Sequence, residues 1–264
     1  MDDLPRFFAL ERRLLERLST RTEPFEHGVA YLDEEYRERW NSNFLLADAP
    51  LDGVSAKSLL DAADRILGGA GYTHREVVVR DDGAGERLAP AFAERGYTVE
   101  RNLLMVHRRA PDRESDLPVE ELTFAEAQPL IREIYRRDTN LTSEETAHRF
   151  TEQHGKNERV IGARFFVVRL EGALAGDCEL YVDGSVAQVE FVDTLEEFRG
   201  RGVARAVVLA AVSAARAAGA TRVFIVADED DWPKELYTRL GFDRIGRTWQ
   251  FTQPGTAPSN RPTL

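Results

Sequence analysis

Apolar residues recur along this chain in two alternating rhythms, and the changes of rhythm mark its elements. Phe7, Leu10, Leu14, Leu15 and Leu18 fall on one face at helical spacing and predict a helix over 6–19. After Pro24, short strands are expected at 25–32 and 43–47, flanking a charged segment, 33–39. Leu59, Leu60, Ala63, Ile66 and Leu67 predict a helix over 55–67 that stops at Gly68-Gly69. A buried strand at 76–79, a helix over 87–95 capped by Gly96, and a long strand at 97–107 complete the first part.

The segment 108–118 (RRAPDRESDLP) is charged, proline-containing and without apolar period, which reads as a linker. Beyond it the pattern predicts a strand at 119–122, helices over 124–136 and 143–154, and strands at 163–170, 173–182 and 186–194. Turn signals at Glu171-Gly172 and Asp183-Gly184 make those three strands an antiparallel meander. A helix beginning near Val203 follows, then a strand at 222–227, a helix over 232–240 and a last strand at 242–252. The order β-α-α-β-β-β-α-β-α-β is α/β with a mixed sheet. The remaining 253–264 is polar, proline-rich and expected to be a loosely ordered tail.

The most informative stretch is the passage from the strand at 186–194 into the next helix. It contains Arg199-Gly200-Arg201-Gly202, and the helix after it has Val203, Val207, Val208, Ala211 and Val212 on one face. A helix N-terminus offers unpartnered N–H groups and partial positive charge. Glycines let the backbone close on an anion and arginines add fixed charge, so this turn suits a phosphate or diphosphate. The spacing Arg199-x-x-Gly202-x-Ala204 resembles the [Q/R]-x-x-G-x-[G/A] pyrophosphate loop of the GNAT superfamily of acyl-CoA N-acyltransferases. A second resemblance lies at 234–242, KELYTRLGF, where Tyr237 stands four residues before Gly241-Phe242, as at the end of the GNAT fold. Together with the element order, the likeness covers about 117–252.

An internal echo accompanies it. Phe92-x-x-x-Gly96-Tyr97 recurs as Tyr237-x-x-x-Gly241-Phe242, 145 positions on. The expected organisation is therefore a degenerate GNAT-like unit at 1–110, an acyl-CoA-binding GNAT unit at 117–252, and the tail. The first unit is a worn copy: the stretch before its helix at 55 has no arginine, and Phe92 lacks the hydroxyl of Tyr237.

Composition narrows the function. The chain has 264 residues, 42% hydrophobic and 31% charged, with a net charge of −11. Both parts are acidic, near −4 and −7, so neither nucleic acid nor an anionic membrane is an expected partner. No apolar run approaches the roughly 20 residues of a membrane span, and the N-terminus lacks a signal-peptide pattern. With a single cysteine, Cys178, a cytoplasmic location is expected. The five histidines show no metal spacing, and no metal is expected. Cys178, in an apolar strand, is expected to be a core residue rather than a nucleophile.

The resemblance implies acetyl transfer from acetyl-CoA, or another acyl-CoA, to a small-molecule or peptide amine. It assigns the backbone of Val192, Asp193, Thr194 and Leu195 to the pantetheine arm and thioester carbonyl. Arg199, Gly200, Arg201, Gly202, Val203 and Ala204 would hold the diphosphate, and Tyr237 would protonate the leaving sulfur. Glu190 is the candidate base, with Asp193 and Glu179 behind it. Asp138 and Glu144-Glu145 lie where an acceptor cleft is often built, although a solvated helix face also accounts for them. Two positions depart from the family: Asp230, where a cofactor-binding asparagine is common, and Pro233, where alanine is. The alternative is a non-catalytic acyl-CoA-binding or scaffold protein of the same fold. Acceptor identity and oligomeric state, a homodimer included, stay open.

Overall fold

The computed structural model describes residues 3–255 apart from 49, 139, 140 and 142, so most of the expected tail lies outside the described residues. Helices α1 (Asp3–Leu18), α2 (Ala56–Ala63) and α3 (Asp82–Ala93) alternate with strands β1 (Arg21–Phe25), β2 (Gly28–Leu32), β3 (Phe44–Ala47), β4 (Arg75–Val79) and β5 (Thr98–His107). Then come β6 (Val119–Leu122), α4 (Phe124–Arg137), α5 (Glu144–Ile161), β7 (Arg164–Leu170), β8 (Ala173–Asp183) and β9 (Val186–Thr194). The chain continues with α6 (Val203–Ala217), β10 (Arg222–Asp228), α7 (Pro233–Arg239) and β11 (Phe242–Gln253).

Four expectations shift. The strand at 25–32 is instead a hairpin, β1 and β2, turning between Phe25 and Gly28. Helix α1 is described from Asp3, whose carboxylate is desolvated but pairs with both Arg108 and Arg222, which hold its pKa below the usual range. Helix α3 starts early because Asp81 caps it, its side chain accepting from the Ala84 N–H at 2.7 Å. Helix α5 runs past Gly155, where an added Cβ would meet the Phe124 ring at 2.7 Å; its stop is Gly162, with φ 71°.

All eleven strands belong to one sheet, in the order β1-β2-β3-β4-β11-β5-β10-β9-β8-β7-β6. The expected boundary near residue 110 is therefore not a break in the sheet. Strand β5, from the first half, lies between β10 and β11; strand β11, from the second, lies between β4 and β5. Each half thus inserts its last strand into the other. The two exchanged strands pair antiparallel from Phe242↔His107 to Thr252↔Thr98, with a bulge between Arg244 and Gly246. Positions related by the sequence echo meet at the centre, where Leu103 faces Arg247 and Asn102 faces Thr248, giving the sheet a local two-fold.

The packing follows the exchange. One core joins Leu103–Val106 of β5 and Phe7, Leu10 and Leu14 of α1 to the second half. The other joins Trp249 and Phe251 of β11 to the first half. Phe251 stacks on Phe92 with centroids 4.0 Å apart, and Gly85 leaves room for Trp249, whose Nε1 donates to Asp82 at 2.8 Å. Neither half closes its own core.

Candidate active site

The site begins where the sheet comes apart. Strand β9 pairs in parallel with β10 only over Val186–Val189 against Arg222–Ile225. On its other side β9 follows β8 to Thr194, but the register jumps so that Phe191 and Val192 together oppose Cys178. This is a β-bulge, with Phe191 at φ 50°, a conformation that costs a non-glycine residue roughly 1 kcal/mol or more. Two contacts hold it. The Phe191 ring meets the His154 ring edge-on, centroids 4.6 Å apart. Gly176 lets β8 approach so closely that an added Cβ would lie 2.3 Å from the Asp193 carbonyl oxygen. The bulge takes backbone groups around Val192 out of the ladder, at the mouth of the gap, where a carbonyl oxygen could accept from them.

A cleft of about 660 Å³ opens on one side of this gap. Val192, Asp193, Thr194, Arg199, Gly200, Gly202, Val203 and Ala204 all line it, as the resemblance requires. Gly200 and Gly202 have φ of 73° and 86°, and no side chain caps α6, so its first N–H groups are left for a ligand. The cleft wall is basic in an acidic protein. Arg113, Arg199 and Arg239 line it with no ion-pair partner among the described residues. Arg205 instead ties the linker down, donating to Asp112 at 2.6 Å and to the Arg113 carbonyl at 2.8 Å.

Three expected cofactor residues stand apart from this wall. Arg201 turns outward to Glu171 at 2.7 Å and lies over the Phe198 ring. Leu195 is in the core, its N–H bonded to the Ala175 carbonyl, and borders a separate small cavity with Asp138 and Glu196. Asp230 lies across the gap, paired with Arg101, and lines a different chamber.

That second chamber, about 520 Å³, shares Val192, Asp193 and Tyr237 with the cleft. Its charged lining is wholly acidic: Glu76, Glu100, Glu190, Asp193, Asp228, Asp230 and Asp231. A third cavity of about 400 Å³ continues from it, sharing Asn41, Glu76, Asn102, Glu190, Phe191 and Gln250. Tyr237, 3% exposed, stands where cleft and acidic chamber meet. Burial first, then Glu190 and Asp193, push its phenol far above the ordinary range, so it stays protonated.

Burial also raises Glu190 to about 7, with Glu179 and Glu11 adding to the effect and a hydrogen bond from Gln188 opposing it. Asp193 is raised by burial to about 6, offset in part by His154 and Arg199. Glu179 is committed elsewhere: it accepts from His154, from Asn157 at 3.2 Å and from Tyr181 at 2.5 Å, and lines neither chamber. Glu144 pairs with Arg136 on an exposed helix face. Cys178 is fully buried, its thiol donating to the Val207 carbonyl at 3.4 Å and pushed up by desolvation, so it is a core residue.

Residues 129–242 match the Acetyltransferase (GNAT) family. This stretch has the GNAT fold. No curated protein matches the chain. Among solved structures it resembles a GCN5-related N-acetyltransferase from Kribbella flavida, at 19% identity and TM-score 0.67 over 97% of each chain. A functionally unknown conserved protein from Staphylococcus epidermidis is similar at 14% identity and TM-score 0.70, over 88% of this chain and 93% of that one. A tandem GNAT protein from the clavulanic acid biosynthesis pathway is similar at 17% identity and TM-score 0.52, over 77% of this chain and 70% of that one. At such identities the likeness is one of fold, and it extends across both halves.

Several residues around the GNAT site carry no motif in the sequence. Arg113 arrives from the linker and Arg239 from α7, each without a distinguishing neighbour pattern. Glu76, Glu100, Asn102 and Gln250 reach the acidic chamber only because β4, β5 and β11 are interleaved. Among the described residues no three His, Cys, Asp or Glu side chains group as a metal site would, and no helix is long and apolar enough to cross a membrane.

Proposed function

We propose that the protein is an acyl-CoA-dependent N-acyltransferase that moves acetyl from acetyl-CoA to a primary amine by direct attack in a ternary complex. The observation that carries this reading is the junction at Tyr237, where a basic cleft meets an acidic chamber. Acetyl-CoA fits the cleft in kind: the glycine turn, the uncapped α6 N-terminus and the unpaired Arg113, Arg199 and Arg239 suit its phosphates. When bound, it supplies an activated acyl group on a thiolate leaving group.

The chain's residues then have separable tasks. The acidic lining draws in a protonated amine, whose ordinary pKa near 10.4 leaves little of it nucleophilic at neutral pH. Glu190, titrating near 7, takes the proton directly or through water. As the new C–N bond forms, backbone N–H groups around Val192 hold the developing oxyanion. As the C–S bond breaks, the Tyr237 hydroxyl donates its proton to the sulfur and recovers one from the medium. The reaction is expected in the cytoplasm, with a small-molecule or peptide amine as partner.

The alternative, a binding protein without turnover, rests on Asp230 replacing the family's asparagine. Asp230 faces the acidic chamber and is paired with Arg101, so its charge does not enter the cofactor cleft. Thiol release from acetyl-CoA with a panel of amines, for wild type and Tyr237→Phe, separates the two. Amine-dependent release that the variant loses supports the enzyme; tight acetyl-CoA binding with no release from any amine leaves the binding protein.

A further inference from the structure

The third cavity, at the inner end of the acidic chamber, contains a cation that no carboxylate pairs with among the described residues. Arg39 is 1% exposed and lines it. The guanidinium Nη1 donates to the Tyr135 hydroxyl at 2.9 Å, and Nε has no hydrogen-bond partner. No ion pair of Arg39 exists among the described residues, whereas Lys156, the other base on this wall, is held by both oxygens of Asp33 at 2.8 Å. The nearest route to a carboxylate is indirect. Tyr135 bonds His154 at 2.7 Å and His154 bonds Glu179, which also accepts from Asn157 and Tyr181. A buried charge left without a counter-charge is costly. The rings of Phe150, Tyr135 and Phe191, at 4.5, 5.4 and 5.9 Å, offset only part of that cost.

Arg39 is also held in place before any ligand arrives. Buried Asn43 donates to the carbonyls of Tyr36 and Arg39 and accepts from the Asp33 N–H at 2.7 Å, fixing the whole 33–43 loop. Asn41, Gln153 and Asn157 line the same cavity, the Asn157 Nδ2 donating to Glu179 and Tyr181 and the Gln153 Oε1 lacking a partner among the described residues. A guanidinium preorganised in this way fits a planar anion. The charged lining of the outer chamber is thus wholly acidic, while the inner cavity sets Arg39 and Lys156 among Glu11, Asp33, Glu76 and Glu190.

Building on the N-acyltransferase reading, we propose that the acceptor is a zwitterion of amino-acid type, its amine among the carboxylates near Asp193 and Glu190 and its carboxylate on Arg39. A single unpaired guanidinium, in a cavity whose other charged groups include four carboxylates, matches a monoanion better than a phosphate.

The test is calorimetric titration of matched pairs into the full-length protein with CoA present: lysine against cadaverine, ornithine against putrescine, phenylalanine against phenethylamine, with phosphoethanolamine as the phosphate arm. The carboxylate-bearing member of at least one pair should bind tenfold or more tightly than its decarboxylated partner, the scale of one charge-assisted contact. Arg39→Gln should bring that ratio to within about threefold, and Arg39→Lys, which keeps the charge but not the fork, should leave it intermediate. Equal or weaker binding of the carboxylate-bearing members in wild type overturns the proposal, whatever the variants do. So does a ratio that survives Arg39→Gln, or a preference for phosphoethanolamine over every amino acid. Thiol release in the same samples reads catalysis separately: carboxylate preference without release would keep this inference and sink the enzymatic one.

Discussion

Glu190→Gln should weaken catalysis and strengthen the fold, and the second effect should grow as pH rises above about 4 and level off near 7. The side chain is half-buried, and desolvation is the largest cause of a pKa of about 7, well above the ordinary glutamate value near 4.3. Between those values the folded protein holds a proton that the unfolded chain has released, so stability contributed by the neutral carboxyl is lost as pH rises through that window. By pH 8 the native state carries an ionised, desolvated carboxylate at a cost of about 3 kcal/mol. Glutamine has the same shape, keeps an oxygen to accept from Gln188 and never ionises.

The variant should therefore match wild type near pH 4 and exceed it by about 3 kcal/mol at pH 8, roughly 6–12 °C in Tm for a chain of this size. Asp193 titrates in the same range but is present in both proteins and cancels from the difference. Calorimetric melts from pH 4 to 8 give the stability arm. Thiol release gives the other: kcat/KM should fall by about 10²–10⁴, and the wild-type rise in rate with pH near 7 should vanish. A stability difference flat in pH would refute the burial argument, and a retained pH limb would refute the base.

Three further outcomes follow from the same geometry. Tyr237→Phe keeps the ring beside Phe242 but removes the proton donor; kcat should drop at least about tenfold with acetyl-CoA affinity nearly unchanged, read by single-turnover kinetics and calorimetry. Arg199→Ala should weaken acetyl-CoA binding by about tenfold while affecting fragments that lack the diphosphate less, and should flatten the salt dependence of binding. Phe251→Ala opens the core beneath Phe92 and should cost about 3–5 kcal/mol, yet urea unfolding should remain one transition by fluorescence and circular dichroism. Two separated transitions would mean that the halves fold independently despite their exchanged strands.

The legible parts of this molecule were those written in local sequence. The helical face of Val203–Val212 and the turn signals at Gly172 and Gly184 fix β7 to β9 and α6 nearly to the residue, because burial period and turn chemistry act over a few positions. The cleft residues of the 199–204 turn were legible for the same reason, glycine φ and helix start being local properties. Arg201 shows the limit: its spacing cannot say that it sits on the outer side of the turn, within reach of Glu171. The bulge at Phe191 had no signature either. It depends on Gly176, which lies on the neighbouring strand and whose missing Cβ is visible only once the strands are side by side. The acidic chamber was hidden most completely, since β4, β5 and β11 become neighbours through a pairing between residues over a hundred positions apart.

That pairing bears on why the first half persists without a cofactor turn. Phe92, at the position answering to Tyr237, is fully buried and stacked on Phe251, so the place of a phenol has become core. The half contributes to the site by other means. Its β5 is the strand that β10 lies against, so without it the wall carrying Val226 and Asp228 would lose its neighbour. Its 33–43 loop and β4 bring Arg39, Asn41 and Glu76 to the inner cavities, which the second half cannot close alone. On the proposed function, acceptor recognition would be divided from acyl binding along the sheet: the second half would present the diphosphate turn and Tyr237, and the first the groups that face the acceptor's far end. On this division, substitutions in 33–43 should change which amine is used while leaving acetyl-CoA affinity as it was. A loop variant that shifted both together would show that the two halves do not share the work in this way.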